Sequence, residues 1–439
     1  MKVTKNSKHN PGKSKPNQSH SRHNLIKSSS LVITTLLINF SLTGCSLSEL
    51  ETTVMNKLPI IQETEITESS NSEALAQSVI TPSMVKTTVT EQSNNIIDES
   101  DYNWYYKNLT SQTSRDIYNK IYETLINFEP AAEFDNIDIN VDEMTTIYKC
   151  VAYDHPEIFY VSSYKFTKYS LNNRQLKVVF IPIYNMTEDK VRQAQREIEE
   201  YTSKIIAEAN KFDSDYEKEK YIYDYIATNT EYVEDSLFNQ SLYSVVKGES
   251  VCMGYTRMFQ YIANRIGLPC TIVIGKNREG IGHAWNICKV NNQWYMLDCT
   301  NSKGQLLNLK DEVDYYLFNI TEEQILRVYS INNIVEIPEC NSIESDWFYK
   351  NDHYIKREET DEEILTHLQN EISQVLNSTT EKRKISLRCE DTETLERLVS
   401  LSTEITDTGT RRLYTYIGEN TSISYVISSE YLVFEIYIG

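Results

Sequence analysis

Three residues in the middle of the chain have side chains that together can break or transfer an amide bond: Cys252, His283 and Asp298. A thiolate is the nucleophile for such chemistry, an imidazole takes and returns the proton, and a carboxylate holds the imidazole in one tautomer. Cys252 follows Gly248-Glu249-Ser250-Val251 at the expected start of a helix. A helix N-terminus presents N–H groups without partners and partial positive charge. Both favour thiolate over thiol, and the same N–H groups suit an oxyanion on an attacked carbonyl. Singly, each residue has a plainer reading. A cysteine that begins an amphipathic helix is more often core, and a lone histidine is more often a satisfied or exposed imidazole.

The spacing from His283 to Asp298 sharpens the pattern. His283 stands in Gly280-Ile-Gly-His-Ala-Trp-Asn286, at the mouth of an expected strand, and Asp298 closes a second strand beginning near Trp294. With Asn291-Asn292 as a two-residue hairpin loop, Val290 faces Gln293, Trp285 faces Asp298, and His283 faces Thr300. Side chains two apart share a face, so His283, Trp285 and Asp298 lie together. Asp298 is then the diagonal neighbour of His283, with Cβ atoms about 7–8 Å apart, within reach of a hydrogen bond between imidazole and carboxylate. A one-residue slip would put them on opposite faces.

Four blocks carry a family resemblance: Val251-Cys252-Met253-Gly254-Tyr255, Gly267-Leu268-Pro269, Gly282-His283-Ala284-Trp285-Asn286, and Trp294-Tyr295-Met296-Leu297-Asp298-Cys299-Thr300. In order and spacing this region, roughly 213–320, resembles the transglutaminase-like superfamily. The resemblance implies a papain-like α+β core, with a helix bearing Cys252 packed on an antiparallel sheet. It also implies a triad of Cys252, His283 and Asp298. Met253 departs from the acidic or polar residue common in bacterial relatives, which bears on the subsite beside the nucleophile. Trp285 is a candidate wall or oxyanion partner, and Tyr243, upstream of Cys252, a candidate second oxyanion donor. For both, simple packing is the default, and with 31 tyrosines in the chain it is so for Tyr243 above all.

The elements that must position these residues can be read coarsely. Region 101–212 reads as α+β, with helices over 114–128, 141–153 and 190–209 and a hairpin of strands over 158–169 and 175–184. The core, 213–330, opens on a helix whose Ser214 and Glu217 have capping-box spacing. The helix from Cys252 ends at Gly267 and Pro269. Region 345–439 reads as a small α/β accessory domain: a strand, a helix over 361–376, a strand over 384–389, a helix over 392–401, and final strands over 412–417 and 422–438.

The first 44 residues read as a targeting segment. A basic stretch precedes the 12-residue apolar run Leu31–Leu42, too short to span a bilayer, and then Leu42-Thr-Gly-Cys45. This order resembles a bacterial lipoprotein signal, which implies cleavage before Cys45, lipidation of Cys45 and an extracellular, membrane-anchored protein. Residues 45–100 are rich in Ser, Thr, Glu and Asn and read as a disordered tether. The first 44 residues hold seven of the 43 basic residues and none of the 63 acidic ones, so the remainder carries a formal charge near −27. Such a surface repels phosphate backbones, so no nucleic-acid partner is expected. No Cys/His cluster has zinc spacing, so no metal or other cofactor is expected. Most other cysteines read as buried thiols.

Two functions fit. One is a cell-surface thiol enzyme working on a protein or peptide substrate, including cell-envelope material, by acyl transfer or by hydrolysis. The other is a tethered binding module that keeps the fold without the chemistry.

Overall fold

The computed structural model describes residues 100–171, 174–234, 240–302, 313–378, 383–407, 410–418 and 421–438. The leader, Cys45 and the expected tether up to residue 99 lie outside them. Among the described residues no helix is long and apolar enough to cross a membrane.

Polar caps and apolar stripes set out the first part. Helix α1 (Gln112–Ile126) starts where Ser111 accepts from the Ser114 N–H, and buries Ile117, Ile121 and Leu125. Strand β1 (Ala132–Asp135) leads to α2 (Val141–Asp154), capped by Asn140. A long hairpin, β2 (Val161–Leu171) and β3 (Arg174–Tyr184), completes an antiparallel sheet of order β1-β3-β2. The charged helix α3 (Glu188–Ala209) follows. This region does not stand apart. Asp154 accepts from the backbone of Tyr105 (3.0 Å) and Tyr106 (2.8 Å), capping the short helix Trp104–Lys107. The Tyr105 hydroxyl then donates to the carbonyl of Ile272, 2.8 Å away. One apolar cluster runs from Tyr105, Ile147 and Phe180 to Phe259 and Ile272.

Helix α4 (Asp215–Asn229) begins at Ser214, whose oxygen accepts from the Glu217 N–H as the spacing predicts. Strands β4 (Glu231–Tyr232) and β5 (Glu249–Ser250) form a short parallel pair just before α5 (Cys252–Arg265). Gly267, at φ 88°, ends α5 in the left-handed conformation that glycine adopts without strain. Then come β6 (Cys270–Asn277), β7 (Gly282–Val290), β8 (Gln293–Leu297) and, after a long connection, β9 (Tyr329–Ile331). They form an antiparallel sheet of order β8-β7-β6-β9. Asn291 and Asn292 both have positive φ (51° and 65°), the requirement of a tight two-residue hairpin. Val290 pairs with Gln293 and Asn286 with Leu297, the expected register; one further step sets Trp285 opposite Asp298.

Both faces of this sheet are covered, so β6 and β7 are buried along almost their whole length. Ile272, Ala284, Cys288 and Leu297 join the cluster shared with α5. Val273, Trp285, Ile287 and Met296 join a second one with Tyr316, Phe348 and Val433. All seven described cysteines are buried, and none of them is in a disulfide.

The last region holds β10 (Tyr354–Ile355), α6 (Asp361–Asn377), β11 (Arg383–Cys389), α7 (Thr392–Thr403), β12 (Ile423–Ser428) and β13 (Val433–Ile438). Its sheet order is β10-β11-β13-β12, antiparallel except for the β10–β11 pair. Three expectations change here. The residues expected to begin the region as a strand form a short helix, Trp347–Lys350, because Asp346 accepts from the Phe348 N–H at 2.8 Å. Arg412–Ile417 is a helix, in which Leu413 and Ile417, four apart, turn to the core. The expected final strand is a hairpin, turned at Leu432 with φ 56°. Buried charges weld this region to residues 313–348. Arg388 meets Asp346 at 2.6 Å and donates to the Tyr316 carbonyl, and Lys384 lies 3.2 Å from Asp314 and 2.8 Å from Glu435.

Two features of the packing can be tested. Gly275 pairs with His283 on one side and Ile331 on the other. A Cβ there would lie 2.1 Å from the Ser330 carbonyl oxygen and 2.5 Å from the Trp285 ring. Gly275→Ala should therefore cost about 3 kcal/mol, the upper end for overpacking, because backbone cannot give way as a flexible side chain does. A urea midpoint close to wild type would show that β9 is not seated against β6. Glu219 of α4 is buried beside Asn319, and burial pushes its carboxyl up to about 8 although hydrogen bonds from Asn319 and Cys288 lower it. The unfolded chain ionises this group near pH 4.3 (about the free value), so only the folded state holds the proton above that pH. Stability should fall as pH rises from about 4.3 towards 8, by at most about 1.4 kcal/mol per unit from this group. Glu219→Gln should flatten that slope in denaturation curves taken across the range; an unaltered slope would place the proton elsewhere.

Candidate active site

Cys252 is the first residue of α5. The N-cap is Val251, which has no side-chain acceptor to offer, so the first turn has no side-chain cap. Apolar residues at the cap are unfavourable for a helix by itself, but here the N-terminus is held by tertiary bonds. The Thr256 hydroxyl shares its proton between the carbonyls of Cys252 (2.8 Å) and Ala284 (3.1 Å). The Asn286 amide donates to the Thr256 carbonyl at 3.1 Å. Helix α5 is thus fastened to β7 one residue beyond His283, and the helix start and the imidazole lie at the same end of that strand.

His283 Nε2 lies 2.8 Å from Asp298 Oδ2, the imidazole–carboxylate pair expected from the hairpin register. Asp298 is also held by the Tyr329 hydroxyl (2.7 Å) and the Asn301 amide (3.1 Å) on Oδ2, and by the Thr300 N–H (2.8 Å) on Oδ1. Burial alone would raise this carboxyl. The His283 charge and the hydrogen bonds from His283, Tyr329 and Thr300 outweigh it and hold Asp298 below the usual carboxylate range. A charged carboxylate accepts only, so the proton between the pair sits on Nε2, and Nδ1 is the ring nitrogen able to take another.

Trp285 lies on the same face. Its ring stacks with that of His283, centroids 6.2 Å apart, and lies tilted against that of Tyr329 at 5.1 Å, over the space left by Gly275. Its Nε1–H is buried without an acceptor among the described residues. Tyr243 is not part of this group. Its hydroxyl donates to Glu197 of α3 at 2.7 Å, and its ring stacks on Phe159. The expected donor is therefore committed to a carboxylate on another helix.

Sequence reasoning missed Tyr329 and Asn301. Tyr329 sits in a three-residue strand with no periodicity to mark it, among many other tyrosines. Asn301 carried a weak signal, because an amide three residues beyond an aspartate can bond back to it.

Cys252 is 0% exposed and His283 7%. Cavities of about 440 and 700 Å³ lie beside α6, and neither is lined by Cys252, His283 or Asp298.

Residues 203–299, a span containing Cys252, His283 and Asp298, match the family model of the transglutaminase-like superfamily. The chain is similar to a crystal structure of a TGase at 17% identity and a TM-score of 0.24, over 39% of this chain and 50% of that one. It is similar to a candidate cysteine protease from Cytophaga hutchinsonii at 14% identity and a TM-score of 0.22, over 34% of this chain and 65% of the other. It is also similar to a candidate protease from Parabacteroides distasonis at 11% identity and a TM-score of 0.19, over 35% and 41%. The chain thus spans about half the length of these structures. No curated protein matches it. Within an α+β fold, residues 203–299 carry a segment distantly related to the transglutaminase-like superfamily.

Proposed function

We propose that the protein is a thiol enzyme acting on amide or peptide bonds, with Cys252 as nucleophile, His283 as base and Asp298 as its orienting partner. The observation that carries this reading is the His283 Nε2–Asp298 Oδ2 contact at 2.8 Å, at the end of β7 where the Cys252 helix is fastened. With Nε2 occupied by Asp298, Nδ1 takes the thiol proton. The Cys252 thiolate attacks a carboxamide or peptide carbonyl, and the oxyanion is met at the N-terminal, positive end of the helix that Cys252 begins. Trp285 packs on the sheet face away from α5, so its ring backs the His283 imidazole and its N–H is given no role at that oxyanion. As the C–N bond breaks, His283 returns its proton to the departing amine, leaving an acyl-thioester on Cys252. An amine then gives acyl transfer, or water gives hydrolysis. The family match is compatible with either outcome.

The lipoprotein-like order around Cys45 supports a place on the outer face of a membrane, where proteins and peptides of the cell envelope are the substrates at hand. The full burial of Cys252 favours the second reading, a surface binding module on the same fold. It also makes access to the thiol the decisive measurement.

The test is labelling of the full chain with iodoacetamide and, in the presence of envelope peptides, with a tagged amine. Wild type should label at Cys252 and Cys252→Ala should not. His283→Ala should slow acylation by about 10³-fold or more while the circular dichroism spectrum stays unchanged. Equal labelling of wild type and Cys252→Ala, or none in either, would leave the binding module as the better account.

A further inference from the structure

Asp298 Oδ2 carries more donors than orienting an imidazole requires. Besides His283 Nε2 at 2.8 Å, it accepts from the Tyr329 hydroxyl at 2.7 Å and the Asn301 amide at 3.1 Å. Asn301 also donates to the Tyr329 oxygen at 2.5 Å, which turns the hydroxyl's own proton towards Asp298. The phenol ring is held in place, 4.7 Å from the His283 ring and 5.1 Å from that of Trp285. Donors that share one carboxylate oxygen compete for its charge, so each added donor weakens its hold on the others.

We propose that Tyr329, directed by Asn301, is a positioning residue of the His283–Asp298 pair, fixing the oxygen that orients the imidazole and limiting how firmly that oxygen holds an imidazolium. The proposal rests on the thiol-enzyme reading above. An imidazolium held too firmly is slow to give its proton to a leaving amine, so a base in this role gains from a tempered carboxylate.

The groups around the pair allow this effect to be isolated. Around Asp298, Tyr255 approaches from α5, Tyr223 from α4, Cys299 from the end of β8 and Tyr431 from the C-terminal hairpin. Burial holds Tyr255, Tyr223, Cys299 and Tyr431 above their usual ranges, so these four stay neutral near pH 7.

The experiment is an NMR titration of the full chain carrying labelled histidine, with His283→Asn identifying the His283 signal. Tyr329→Phe keeps the ring and removes one O–H. It should move the His283 titration to higher pH by about half a unit, the scale of one hydrogen bond lost from a carboxylate. Asn301→Ala leaves the aromatic contacts in place and should move it in the same direction by less, which keeps the test open if Tyr329→Phe does not fold. A His283 titration unchanged in the variants, or absent in every protein, overturns the role of Tyr329. If Cys252 labelling persists alongside that result, the enzyme reading survives it. A shifted His283 with no Cys252 labelling overturns the enzyme reading instead.

Discussion

The site depends on one buried negative charge. Removing a carboxylate from water is costly, and Asp298 stays charged only because it is surrounded by donors: an imidazole, a phenol, an amide and a backbone N–H. Those donors are delivered by three different pieces of chain. His283 arrives on β7, Tyr329 on β9, and Thr300 and Asn301 on the turn after β8. The carboxylate therefore couples the sheet register, the long connection to β9 and the local turn into one arrangement, which is satisfied as a whole or leaves a buried charge exposed to its desolvation cost.

The outlying regions bear on that arrangement. Arg278, in the loop before His283, donates to the Arg327 carbonyl and meets Glu430 of the C-terminal hairpin. Arg327 in turn donates to the Ser429 carbonyl at 2.9 Å. The C-terminal region thus braces both the loop that precedes His283 and the segment that presents Tyr329. On the other side, Tyr105 holds the Ile272 carbonyl of β6, and the Gln260 amide of α5 donates to the Tyr153 carbonyl at 2.8 Å. The regions flanking the core act as its supports, which explains why their apolar clusters run into it.

The same enclosure that strengthens these electrostatic contacts also hides Cys252. Low dielectric favours a well-ordered ion pair and penalises an incomplete one. A carbonyl must still reach the sulfur for chemistry, so the fully buried thiol is the feature that separates a working enzyme from a fold kept for binding.

Much of this was legible in the sequence. The hairpin register followed from Asn291-Asn292, because few residues adopt two consecutive positive φ angles, and that register alone placed His283 beside Asp298. The helix starting at Cys252 and ending at Gly267 followed from punctuation and periodicity. Local rules failed where the spacing was ambiguous: Arg412–Ile417 took the helix its four-residue spacing also allowed. They failed for Tyr243 because nothing in its neighbourhood announces Glu197, 46 residues away. Tyr329 lies 31 residues from Asp298, and Arg388 42 from Asp346. Sequence determined the local elements and the one contact made across a tight turn, because short-range sterics and side-chain period suffice for those. Only the tertiary structure decided which distant phenol completes the carboxylate and how deeply the thiol is covered, because burial and long-range hydrogen bonds exist only once the whole chain has packed.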